Sequence, residues 1–156
     1  IDYHEETDTL YSHIRIYDKK DAITGERLRT MGINIENHST MSLDSDRLEI
    51  NTQNTIIWFV IFSQSFIWAY ALGAGYSFPK DYLAKYPHNT LDVVEIDPGV
   101  TDLAKKYFAL EDHPNLTIHH EDARVFLNQN TKKFDAIFGD AFTSWYSVPY
   151  QLTTQE

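Results

Sequence analysis

Cysteine is absent from the 156 residues, which excludes disulfides and thiolate metal ligands and leads us to expect a reducing, cytoplasmic setting. Basic charge is scarce. Thirteen Lys and Arg stand against 23 Asp and Glu, a net charge of −10, so no basic stripe can follow a phosphate backbone and nucleic acid is not an expected partner. A field of this sign would instead steer a cation, such as a polyamine or other amine, toward the protein. The chain opens Ile1-Asp2-Tyr3-His4-Glu5-Glu6, with neither a basic n-region nor an apolar h-region. No secretory signal is expected, and the chain reads as a piece of a longer product. From Ile50 to Pro79 charge is missing altogether. The apolar stretches Ile56 to Phe62 and Phe66 to Leu72 are interrupted by Ser63-Gln64-Ser65, whereas a membrane helix needs about 20 predominantly apolar residues. A membrane span is therefore not expected there. With 42% hydrophobic residues and 14% aromatics, the chain can bury a core.

Within the uncharged run lies the most informative segment. Leu72-Gly73-Ala74-Gly75-Tyr76-Ser77-Phe78-Pro79 is followed, about 20 residues on, by Val93-Val94-Glu95-Ile96-Asp97-Pro98. Glycines let a backbone approach a ligand, the next helix offers free N–H groups, and a carboxylate ending the second strand can take both hydroxyls of a ribose. The surroundings agree. Ile67 to Leu72 reads as a buried strand, Pro79 to Tyr86 as a short helix, and Leu91 to Ile96 as a strand covered on both faces despite Asp92. Asp97 can cap a helix with Pro98 at its first position and Val100, Leu103, Ala104, Tyr107 and Phe108 on one face. Leu116 to His119 and Phe134 to Phe138 supply two more strands. Short strands separated by helices imply a parallel sheet whose ligand sits at the carboxyl ends, where Gly73, Glu95, Asp122 and Asp140 fall.

Ahead of this region, Tyr11 to Asp18 and Arg27 to Ile35 roughly alternate apolar and polar residues around Thr24-Gly25, the pattern of a half-buried hairpin. We therefore expect an α/β protein with a small β lobe over residues 1–49 and a partial adenosyl-binding domain over 50–156. At the other end, Thr153-Thr154-Gln155-Glu156 has the spacing of a capping box, which normally opens a helix. With four core strands, the last would be left as an unpaired edge. The expectation is a domain interrupted partway.

Several segments together resemble the spermidine synthase-like proteins, the polyamine aminopropyltransferases and their bacterial relatives. They are Glu6 with Tyr11-Ser12-His13-Ile14, Gly73 to Pro79, Val94-Glu95-Ile96-Asp97-Pro98, Glu121-Asp122-Ala123-Arg124-Val125-Phe126-Leu127, and Phe134-Asp135-Ala136-Ile137-Phe138-Gly139-Asp140-Ala141. The resemblance runs through nearly the whole chain in the same order. It implies a β lobe before a methyltransferase-type Rossmann domain, and transfer of an aminopropyl group from decarboxylated S-adenosylmethionine to a polyamine. It also implies homodimers; that no metal is expected follows from the residues themselves. Gly73, Gly75, Glu95, Asp97, Asp122 and Ala123 would surround the donor, with Glu95 on the ribose hydroxyls and Asp122 and Ala123 at the adenine. Asp140 would be the catalytic base. Asp122 also reads as a cap on the helix through Leu127, and Asp140 as a loop anchor. An S-adenosylmethionine-dependent methyltransferase, or a non-catalytic adenosyl-binding fragment, are the alternative readings.

The acceptor side departs from the family. Thr143 and Ser144 stand where a second aspartate is usual three residues after the catalytic one, Ser12 replaces a glutamine, and the uncharged run around Ile56 to Phe62 replaces a helix bearing Tyr and His. Ser77 lacks the spacing of a nucleophile elbow. His119 and His120 are adjacent on a strand, so they point to opposite faces, and no third metal ligand is evident.

Overall fold

The computed structural model describes residues 1–45, 65–69 and 77–139. It is an α/β structure with one antiparallel and one parallel sheet. The first sheet is a four-stranded meander in the order β1-β2-β3-β4, made of β1 (Asp2–Asp8), β2 (His13–Lys20), β3 (Arg27–Ile33) and β4 (Glu36–Ser42). The expected hairpin is β2 and β3, closed at Lys20↔Arg27. Asp21 Oδ1 accepts the N–H groups of Ile23 and Thr24 there, and Gly25 takes φ 72°, a left-handed conformation that glycine adopts without steric cost. Its flanking strands were not expected. β1 reads Asp-Tyr-His-Glu-Glu-Thr-Asp and is mostly exposed, and β4 reads Glu-Asn-His-Ser-Thr-Met-Ser, so neither carries an apolar alternation. They are strands because they complete hydrogen-bond ladders at the two edges.

The second sheet is parallel, in the order β7-β6-β5-β8, with β5 (Ser65–Ala69), β6 (Thr90–Val94), β7 (Leu116–His119) and β8 (Ala136–Gly139). Between successive strands lie α1 (Ser77–Lys85), α2 (Pro98–Tyr107) and α3 (Ala123–Gln129). The chain moves outward from β5 to β6 to β7 and then returns to the other side of β5, which creates a reversal of strand order beside β5. Leu91, Asp92, Val93 and Val94 are all buried, as a strand covered on both faces requires. β5 lies inside the uncharged run, so Ser65–Ala69 of that run form a sheet strand and not part of a membrane helix. No helix among the described residues is long and apolar enough to cross a membrane. Residues 70–72 of the expected first strand, and the boundary expected at 49/50, lie outside the described residues.

One buried cluster joins the two sheets. Ile14, Ile16, Met31, Ile33 and Met41 from the meander pack with Tyr82, Leu91, Val93, Val100, Leu103 and Phe108. Polar contacts reinforce it: Glu5 accepts from Lys106 Nζ and from the Tyr107 hydroxyl, each at 2.7 Å. The guanidinium of Arg29 lies 5.6 Å from the Tyr107 ring centroid. The meander is thereby seated on α2, the helix that follows Glu95.

Candidate functional site

Glu95 stands one residue beyond β6, and its N–H donates to His119 O at 2.9 Å, so the ladder with β7 carries it to the carboxyl end of the sheet. The residue is 1% exposed. Oε1 accepts from the N–H of Asp97 at 2.9 Å, while Oε2 is buried with no hydrogen-bond partner among the described residues. Burial pushes the carboxyl from its ordinary value up to about 8; the Asp97 charge adds to the rise, and the N–H groups of Asp97 and Ile96 oppose it. A buried carboxyl oxygen without a donor is uncommon, because leaving it unmatched costs about 1–3 kcal/mol.

Asp97 is also 1% exposed and caps α2 as expected, with Pro98 first in the helix. Its Oδ1 accepts from Gly99 N at 3.0 Å and its Oδ2 from the Thr9 hydroxyl at 2.6 Å. Both oxygens therefore serve the protein itself. Asp122 caps α3, its Oδ1 accepting the N–H groups of Arg124 at 2.9 Å and Val125 at 3.1 Å. Ala123, 1% exposed, packs with Val94 and Phe126 behind that cap. Because Val94 pairs with His119 in adjacent parallel strands, Glu95 and the segment leading to Asp122 emerge at one end of the sheet. Gly73, Gly75 and Asp140 lie outside the described residues.

Two features escaped the sequence. Thr9, in the turn between β1 and β2, reaches Asp97 across 88 positions of sequence, a contact with no local signal. Asp92 is the second. It holds His119 Nε2 at 3.0 Å and the Lys132 ammonium, and His119 stacks on Phe126 at 4.6 Å between centroids. A lone acid in an otherwise apolar buried strand was its signal. His119 and His120 do diverge, His120 Nε2 meeting the Thr101 hydroxyl at 3.0 Å. A cavity of about 480 Å³ between α1, the end of α2 and the start of β7 is lined by residues such as Leu83, Leu110 and His113, and by none of the candidate ligands.

A parallel sheet whose strand ends carry a buried acid and two capped helices, with an attached β meander, defines a Rossmann-type α/β fold. The family model described as the spermine/spermidine synthase domain matches residues 81–146, a span that holds Glu95, Asp97, Asp122, Ala123 and Asp140 but not Gly73 or Gly75. A polyamine aminopropyltransferase of Vibrio vulnificus (strain CMCP6) is 39% identical over 88 residues, 54% of this chain and 29% of that protein. A malonyl-[acyl-carrier protein] O-methyltransferase of Ilyobacter polytropus is 31% identical over 75 residues, 48% of this chain and 26% of that protein. The chain thus spans less than a third of the length of these curated relatives. The crystal structure of a probable spermidine synthase from Corynebacterium glutamicum matches with a TM-score of 0.73 at 22% identity, over 96% of this chain and 56% of that one. The chain is spermidine synthase-like in sequence, and its fold is that of this structural neighbour.

Proposed function

We propose that the protein binds an adenosyl donor through Glu95 and takes part in aminopropyl transfer from decarboxylated S-adenosylmethionine to a polyamine or other amine acceptor. The observation that carries this reading is the Glu95 carboxyl, buried at the carboxyl end of β6 with Oε2 lacking a donor among the described residues. Two vicinal ribose hydroxyls are the O–H donors such an acceptor needs, and an ionised Glu can receive both. Asp122 and Ala123, at the start of α3, would meet the adenine, and Gly73 and Gly75 would let the backbone approach the donor. The wider reading includes a β lobe over residues 1–49, a donor-binding domain over 50–156, a cytoplasmic setting and homodimer assembly.

In the reaction, the acceptor's neutral amine nitrogen forms a bond to the methylene carbon next to the sulfonium. The carbon–sulfur bond breaks, its electron pair neutralises the sulfur, and methylthioadenosine leaves. Asp140 would take the proton from the acceptor ammonium before attack. The sulfonium is already a good leaving group, so the protein's part is alignment, deprotonation and exclusion of water.

A methyltransferase reading draws on the O-methyltransferase relative, since Glu95 would hold the ribose of either donor. Thermal-shift titration with methylthioadenosine, S-adenosylmethionine and its decarboxylated form separates the readings, because a ligand of the native state raises Tm. Preference for the decarboxylated donor supports aminopropyl transfer; preference for S-adenosylmethionine supports methyl transfer. Absence of any shift overturns the adenosyl site.

A further inference from the structure

We propose that Thr9, in the turn between β1 and β2, is a positioning residue for the ribose-binding carboxylate, acting on Glu95 through Asp97. This inference rests on the adenosyl reading of Glu95 and adds to it a residue from the other sheet.

The Thr9 hydroxyl is held from several sides. It accepts the N–H groups of Ser12 at 2.9 Å and Tyr11 at 3.1 Å, which occupy its lone pairs and leave its single proton to be donated. Two acceptors lie in reach, Asp97 Oδ2 at 2.6 Å and Ser12 O at 3.1 Å. The shorter contact is to a carboxylate, and charge-assisted hydrogen bonds are both shorter and stronger. With Oδ2 fixed by Thr9 and Oδ1 by Gly99 N at 3.0 Å, the Asp97 carboxylate cannot turn. The same residue's N–H holds Glu95 Oε1 at 2.9 Å. That bond leaves Oε2 as the oxygen without a partner among the described residues. The turn of the meander therefore helps decide which Glu95 oxygen is offered, and where.

Gly99 supplies an independent observation. A Cβ built there would lie 2.6 Å from Thr9 Cγ2 and 3.2 Å from Asp97 Oδ1. The turn approaches the first turn of α2 so closely that only glycine leaves room for the Thr9 side chain. A larger residue must displace a side chain anchored by its own hydrogen bonds.

The test compares methylthioadenosine with its 2′-deoxy analogue, measuring Kd by calorimetry for the parent, Thr9→Val, Thr9→Ser and Gly99→Ala. The ratio of the two Kd values reports ribose recognition, and a general loss of stability leaves it unchanged. Thr9→Val keeps the shape and removes the donor, so the ratio should fall toward unity by about tenfold, the order of one charged hydrogen bond passed on in part. Thr9→Ser should restore it. Gly99→Ala should lower it in the same direction with the hydroxyl intact. A parent that binds and discriminates, together with an unchanged ratio in Thr9→Val or Gly99→Ala, overturns the role of Thr9 and leaves the adenosyl site standing. A parent that binds neither compound overturns the adenosyl reading, and this inference with it.

Discussion

Asp97 donates its backbone N–H to Glu95 Oε1 at 2.9 Å, yet its own carboxylate helps raise the Glu95 carboxyl to about 8. One residue thus both steadies the acceptor and opposes its charge. Free of ligand, the folded site prefers the neutral carboxyl at neutral pH. A ribose offering two O–H donors favours the ionised form.

The first prediction follows from that opposition. The folded protein holds the Glu95 proton more tightly than the unfolded chain, where the group has its ordinary carboxyl value. The resulting stabilisation is complete below that ordinary range and is lost as pH rises through about 8. Tm measured from pH 5 to 9 should therefore fall more steeply with pH in the parent than in Glu95→Gln. Parallel profiles would contradict it. Methylthioadenosine binding at pH 7 should release a fraction of a proton, seen by calorimetry in buffers of different ionisation enthalpy.

Asp92 gives a prediction on stability. It is 7% exposed and holds His119 and Lys132 at once. Asp92→Ala leaves the half-buried His119 ring without its acceptor, and should cost about 2–3 kcal/mol in urea unfolding. The Lys132 side chain is 43% exposed and can return to water, so Lys132→Met should cost less than about 1 kcal/mol. Equal losses would show the ammonium, and not the imidazole, to be the partner that matters.

A third prediction concerns the end of α2. Ala109 follows the helix with φ 54°, the left-handed conformation in which helices usually place glycine. An L side chain there costs about 1–2 kcal/mol relative to its preferred regions. Ala109→Gly should therefore raise stability by up to about 1 kcal/mol, after the greater flexibility of glycine in the unfolded chain is subtracted. A destabilised variant would mean that the Ala109 methyl contributes packing that outweighs its strain.

The sequence made the Rossmann half legible because its signals are local. Asp97 before Pro98 specified a helix start, a run of apolar residues specified β6, and Leu116–His119 was placed to the residue. β1 and β4 were not legible, since strands that complete the edges of a meander are held by backbone ladders and need no apolar pattern. Expected helix and strand ends drifted by one or two residues where no cap marks them. The last strand was expected to begin at Phe134 and is found at Ala136–Gly139. The place of Glu95 at the carboxyl end of β6 was legible from the apolar run before it, but its link to Thr9 was not. That link depends on how the meander seats on α2, a tertiary relation spread over Glu5, Thr9, Arg29 and Tyr107.

The last prediction tests the chemistry through Asp140, the residue of the matched family span that we propose as the base. Asp140→Asn keeps size and hydrogen bonding but cannot accept the ammonium proton, so the acceptor stays unreactive. Turnover with a diamine should fall by roughly 10²–10⁴-fold, the usual contribution of a positioned base. Donor affinity should stay near the parental value, because the proposed ribose and adenine contacts are assigned to Glu95, Asp122 and Ala123. Raising the pH should recover part of the lost rate, since more acceptor then arrives as the neutral amine. Parental turnover in the variant would make Asp140 a loop anchor, and loss of donor binding would make it part of the donor pocket. A parent inactive with every diamine, yet able to bind methylthioadenosine, would leave adenosyl binding without aminopropyl transfer as the function of this chain.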